Sequence, residues 1–163
     1  MSTSFDELKA FFKVKNIIEN KKTTYHIVHS VLSTECERYA TMELQKYIYL
    51  STNTLIPVFS DKCNVRSKEI IVGSARCSNT KNELIGYSND AYIIKEEDGN
   101  IYIDGNSNRS ILYGVYRFLE LFINFRCFTK DCEVYDKKET ISIDKNYKLI
   151  QDFTFEYREV YFR

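Results

Sequence analysis

The sequence predicts an α+β fold, an α/β sandwich in which a mixed sheet of about five to seven strands carries two main helices on one face. Three observations predict it. A strand-like run at 100–104 leads through Gly105 and a polar cap into an amphipathic stretch, and a further strand-like run follows at 124–129. Together they have the size of one crossover unit. Asp98-Gly99 lies between two apolar runs and is a strong hairpin signal. A β-branched and aromatic run at 23–30 precedes a second helical stretch that extends to about Leu50. The hairpin supplies antiparallel pairing and the strand–helix–strand units supply right-handed crossovers, so the sheet is mixed.

The elements follow in order. Ser4 with Glu7 has the capping-box spacing, and Phe5, Leu8, Phe11, Phe12 and Ile18 share one helical face, which predicts a helix over 4–19. A strand near Phe11–Val14 is the alternative. Residues 23–30 read as a strand. Ser33 or Thr34 opens the first long helix, whose apolar stripe is Ala40, Leu44, Tyr47 and Ile48. A short strand at 55–59 contains Pro57, which cannot donate to a ladder and so marks a sheet edge. Residues 69–73 form an apolar strand ending in a turn, and 78–86 hold a short helix or loop. The hairpin strands are 91–95 and 101–104. The second long helix runs from about Ser107 to Phe122 with Leu112, Val115, Tyr116, Leu119 and Phe122 or Ile123 inward, and Asn124 is suited to the left-handed conformation that ends it. Residues 133–135 and 140–143 read as a last pair of strands. From Asp152 onward the chain alternates like a strand once more.

The 163 residues amount to about one domain. At this size folding buries about 68–70% of the unfolded surface, so a core needs neither disulfides nor metal. Formal net charge is zero, which removes the basic field that nucleic-acid binding requires. No run of about 18 apolar residues exists to span a membrane. The N-terminus is polar and acidic, unlike a signal peptide. The five cysteines are odd in number and none has Cys-x-x-Cys spacing, which fits reduced thiols and a cytoplasmic protein. A Cys127–Cys132 bridge is compatible with the spacing. No cofactor is called for.

Four pieces together resemble the N-terminal non-catalytic α/β domain shared by α-glucuronidases, the β-hexosaminidase family and bacterial relatives of O-GlcNAc hydrolases. They are Ala40-Thr-Met-Glu-Leu-Gln-Lys-Tyr-Ile48; Leu55-Ile-Pro-Val58 with Ile70-Ile-Val-Gly73; Asp90-Ala-Tyr-Ile-Ile94 with Gly99-Asn-Ile-Tyr-Ile103; and Gly105 through Glu120 with Phe125-Arg-Cys-Phe128. The sequence departs from the family at Ser110, where Gly follows the Arg at the helix start, and at Asn124, where Gly ends the second helix. Ser110 is expected to serve as a better cap. The resemblance implies three segments: an N-terminal extension over 1–22, an accessory domain over 23–150, and the start of a following domain over 151–163. It implies a catalytic barrel in a longer parent chain as the partner, with carbohydrate as a further contact. It also implies a substrate-reaching role for Arg158, and a domain interface containing Arg109, Phe153, Phe155 and Tyr157.

Glu156 and Glu159 are a carboxylate pair without the pocket that glycoside hydrolysis needs. His26 and His29 stand three apart on a strand and face opposite sides, so they do not share a metal even with Cys36 nearby. The Gly73-Ser-Ala-Arg76 turn is short of the glycines of a phosphate loop and reads as an ordinary turn. Arg126 reads as an outward strand residue. Three functions therefore stand: an accessory domain of a glycoside hydrolase-like protein, a stand-alone glycan- or protein-binding module, and a small enzyme using Cys or His.

Overall fold

The computed structural model describes residues 14–77, 79–129 and 131–153. The predicted helix over 4–19 falls largely outside them. Its last part is a strand instead, β1 (Val14–Ile18), which pairs antiparallel with β9 (Ile141–Asp144) and buries Ile17 and Ile18. Two β-branched residues at its end suit a pleated, half-buried surface better than a helical turn.

The main sheet has six strands in the order β10-β5-β6-β4-β2-β3. They are β2 (His26–His29), β3 (Val58–Ser60), β4 (Glu69–Val72), β5 (Tyr92–Glu97), β6 (Asn100–Gly105) and β10 (Lys148–Gln151). β3, β2, β4 and β6 run parallel, and β5 is antiparallel to both β6 and β10. The sheet is mixed, as expected, and β3 with Pro57 before it is an edge. The β5–β6 turn has positive φ at both Asp98 (52°) and Gly99 (88°), the geometry that Asp-Gly favours.

Two long helices cover one face: α1 (Glu35–Thr52) and α3 (Asn108–Ile123). The other face is partly covered by a 3₁₀ turn (Ala75–Cys77) and the short α2 (Thr80–Glu83). Thr34 caps α1 in a capping box with Glu37. The cap of α3 is Ser107, not Ser110; Ser110 is its reciprocal partner three residues on and is fully buried. Both helices end on a left-handed asparagine, Asn53 and Asn124. Neither carries a basic residue in its last turn. One loop supplies both charges: Lys137 Nζ donates to Leu50 O (2.6 Å) and Lys138 Nζ to Phe122 O (2.7 Å).

The α1 stripe is as read: Ala40, Leu44, Tyr47 and Ile48 are buried. The α3 stripe is rotated. Ile111, Val115, Phe118, Leu119 and Ile123 face the sheet, while Leu112, Tyr116 and Phe122 are only partly covered. Gly114 explains the rotation. A Cβ there would lie 3.0 Å from Ile103 Cγ2, so its absence lets the helix settle onto β5 and β6 along that line.

Two sequence expectations are corrected. β7 (Arg126–Thr129) does not enter the sheet as the second strand of a crossover; it pairs with β8 (Cys132–Val134) in an exposed hairpin. The strands read as a last pair part company, since β8 joins β7 and β9 joins β1. Cys127 and Cys132, on this hairpin, are free thiols. Strand β10, with Leu149 and Gln151 half-buried, was missed because four residues carry too little alternation to be recognised.

Candidate functional site

Two regions can hold function: the C-terminal ends of the parallel strands, and a groove beside α3. In open α/β sheets the strand ends are where ligands usually lie. Here the N-termini of α1 and α3 reach the same edge, and Cys36 Sγ donates to Asn108 O (3.2 Å) between them. A helix N-terminus attracts an anion. The anion at α1 is the chain's own Glu37.

The Glu37 carboxylate accepts from Thr34 N (2.7 Å), Thr34 Oγ1 (3.1 Å), Ser74 N (3.2 Å) and Ser74 Oγ (3.2 Å). The turn after β4 thus does cradle an anion, but an internal one. Gly73, at φ 66°, is required there because a Cβ would collide with the Glu37 carboxylate. Burial acts to raise the Glu37 pKa, and the four hydrogen bonds outweigh it and hold the group below its ordinary value. A depressed folded-state pKa contributes stability above the unfolded value and loses it as pH falls through the folded one. Glu37→Gln is therefore expected to lower Tm at neutral pH and to flatten the fall in Tm below about pH 4.5. Thermal melts of both proteins across that range are the check.

Asp104, next to last in β6, is buried. Thr80 Oγ1 donates to its Oδ2 (2.6 Å) and Gly105 N to its Oδ1 (2.8 Å). Burial pushes its pKa up, against those hydrogen bonds. A raised carboxyl can mark a catalytic acid. This one is closed off from solvent and ties α2 to the sheet. Glu83 of α2 completes the attachment through Lys95 (2.7 Å) and Lys148 (2.6 Å).

On the same face Arg76 clamps Glu69 with two parallel bonds, Nε to Oε2 (3.0 Å) and Nη2 to Oε1 (2.7 Å). Its remaining donors reach Asp61 O, Cys63 O and Asn64 O and fold that loop over the sheet.

The histidines part as expected. His26 lies against Phe59, with ring centroids 5.5 Å apart. His29 Nδ1 is 2.8 Å from Ser30 O, so that nitrogen carries the proton. Among the described residues no group of three His, Cys, Asp or Glu side chains is placed to hold a metal. No described helix is long and apolar enough to cross a membrane.

The second region is an open groove of about 530 Å³. Tyr92, Tyr113, Tyr116, Phe125 and Phe153 make its walls. Tyr116 stacks on Phe125 at 5.8 Å and 14°. The Tyr116 hydroxyl donates to the buried Glu43 (2.9 Å), and burial together with that carboxylate drives its pKa upward. Charged side chains line the rest. Glu120 takes both Arg117 and Arg126, the latter at 2.8 Å. Phe153 lies 6.0 Å from Tyr92 and 6.3 Å from Tyr113.

Of the residues singled out by the sequence, Phe153 is in the groove, and Arg126, read as merely outward, lines it. Arg109 stands apart, exposed and paired with Asp90 at 3.0 Å. Phe155, Tyr157 and Arg158 lie outside the described residues, as do Glu156 and Glu159. Sequence reasoning missed the pairing of Arg117 and Arg126 around Glu120. The Arg117–Glu120 spacing of i,i+3 was legible, but the hairpin that delivers Arg126 was not.

No protein-family model matches the chain. No curated protein matches it. Solved structures do. A family GH115 4-O-methyl-α-glucuronidase with specificity for decorated arabinogalactans matches 85% of this chain with 18% of its own, at 14% identity and a TM-score of 0.51. The two share a fold. The chain thus spans under a fifth of that glycoside hydrolase, which fits the N-terminal-like α/β domain expected from the sequence. Flavobacterium johnsoniae chitobiase, of family GH20, matches over 88% of this chain and 19% of that chain (13% identity, TM-score 0.46). A GH84 protein matches over 85% and 20% (19% identity, TM-score 0.46).

Proposed function

We propose that this chain is a non-catalytic accessory domain of a glycoside hydrolase-like protein, packing beside and supporting a carbohydrate-processing barrel supplied by a longer parent chain. The observation that carries this reading is the coverage: nearly all of the chain corresponds to a small part of a much larger α-glucuronidase. The strand ends support it, because Glu37 and Asp104 are saturated by neighbours and hold the scaffold together. In this reading the segment from 151 begins the next domain, Arg109, Phe153, Phe155 and Tyr157 contribute to the interface, and Arg158 reaches the bound sugar.

The purified chain is expected to leave aryl glycosides of glucuronic acid, N-acetylglucosamine and galactose intact over days. Turnover above the uncatalysed rate would end the accessory reading. A second reading, a stand-alone glycan- or protein-binding module, is favoured by the stacked aromatic rings and flanking arginines of the groove. Saturable binding of the isolated chain on a glycan array would select it.

A further inference from the structure

A polar cleft lies where the parallel strands begin, at the opposite end of them from Glu37 and Asp104. Tyr25 and Lys68 immediately precede β2 and β4, and His26 N donates to Lys68 O (3.2 Å). The cleft has a volume of about 600 Å³, and Lys15, Lys22 and Lys68 line it with a single carboxylate, Glu19. A tight turn sorts the neighbouring charges. Glu19 and Lys22 exchange backbone hydrogen bonds (2.9 and 3.0 Å) across Asn20 and Lys21, which have φ of 50° and 60°. Lys21 pairs with Glu139 (3.3 Å), while Lys22 lines the cleft. Among the described residues none of the three lining lysines has a carboxylate at ion-pair distance. Lys68 has φ 72°, a backbone that glycine takes without strain and a lysine does not. Its ammonium donates to Thr24 Oγ1 (3.2 Å), which leaves two donors for an acceptor in the cleft.

We propose that this cleft binds an acidic oligosaccharide, one whose rings carry carboxylate or sulfate groups. An ammonium donates and cannot accept, so the occupant must present acceptor oxygens, and the surplus of positive charge selects anionic ones. Lys15 and Lys22 come from β1 and the turn after it, and Lys68 from the segment before β4. Charge supplied by two separate segments suits several anionic groups in series. Asn16, Asn20 and Thr24 also line the cleft and offer amide and hydroxyl partners to sugar hydroxyls. Two other anions fit less well. A single-stranded nucleic acid needs rings on which its bases stack. Among the described residues the one ring in the lining is Tyr25, which is 1% exposed and donates its hydroxyl to Gly99 O (3.0 Å). A lone phosphate favours free backbone N–H groups at a helix start. Here Lys22 N and Tyr25 N are already bonded, to Glu19 O and Thr23 Oγ1. That the carrier is a sugar rests on the accessory-domain reading; that it is anionic rests on the lysines alone.

Isothermal titration calorimetry on the 163-residue chain tests this with tetragalacturonate, a κ-carrageenan tetrasaccharide, uncharged maltotetraose and inorganic phosphate. At least one of the two charged tetrasaccharides is expected to bind, and the tighter of them identifies the anionic group as carboxylate or sulfate ester. Binding should weaken as salt rises. It should fall about tenfold in Lys22→Gln/Lys68→Gln, at unchanged Tm, and return in Lys22→Arg/Lys68→Arg. Lys21→Gln removes the same charge from the neighbouring position, where the side chain faces Glu139, and should leave binding unchanged. Failure of both charged tetrasaccharides to bind would overturn the proposal. So would equal losses in Lys21→Gln and Lys22→Gln, because overall charge then explains the binding. Maltotetraose binding as tightly would overturn it by showing that charge is not read, and phosphate binding as tightly would make the cleft a site for a lone oxyanion. Glycosidase activity in the isolated chain would sink the accessory reading while leaving the dependence on these lysines untouched.

Discussion

Gly105→Ala is expected to destabilise the fold by about 3 kcal/mol or more, at the upper end of what one added methyl group does in a packed interior. The glycine ends β6 where α3 begins. A Cβ built there stands 2.9 Å from Ile111 N and 2.9 Å from Ser110 C, which are backbone atoms of the first turn of α3. It would also collide with the Ser110 hydroxyl, which belongs to the capping box with Ser107. A side chain can swing aside, but a helix start held at both ends cannot. Gly114→Ala is the control. Its added methyl meets side chains, Ile103 Cγ2 at 3.0 Å and Tyr92 Cβ at 3.5 Å, and alanine favours a helix over glycine by about 1 kcal/mol. Urea melts should show a large loss of midpoint for the first and a small change of either sign for the second. Equal losses would contradict the account of the β6–α3 junction.

Arg76→Ala is expected to cost about 3–5 kcal/mol, seen as a fall in Tm of roughly 10 °C. Glu69 is 1% exposed, and without the guanidinium its carboxylate is buried against a sheet with one backbone donor, Arg66 N, left to it. Arg76 sits at φ 59°, and alanine bears the same backbone cost, so that cost cancels in the comparison. The loop from Asp61 to Asn64 loses three hydrogen bonds to the same side chain and should become the first site of protease cleavage. Adding Glu69→Leu should recover a large part of the loss, because an apolar pair needs no partner. If the double variant is no more stable than Arg76→Ala, the clamp is not what holds that face.

Local chemistry was legible where the sequence states it twice. Asp98-Gly99 lies between alternating runs, and Ser107 and Asn124 bracket a periodic helix; each pair of cues agrees, and each element was found. The sheet interior was legible for the same reason, since Ile27, Ile70, Ile94 and Ile103 are buried in runs with no competing helical period. What was not legible depends on partners far away in sequence. β10 is a strand because β5 offers an edge, and β1 because β9 does. The hairpin β7–β8 looks like a crossover strand until it is seen that no sheet position receives it. In the candidate site, Glu37 carries no sign in the sequence that its second pair of donors will come from Ser74.

The pairing of β1 with β9 joins the two ends of the described chain, and β10 completes the sheet later still. Such distant pairings delay closure, because the intervening loop entropy is lost before any contact offsets it. On the ribosome, the partners of β1 and of the free side of β5 must wait for residues beyond 140 to leave the exit tunnel. Synthesis that stops short of that point releases a chain with an open flank along β5, a natural substrate for chaperones and for edge-to-edge aggregation.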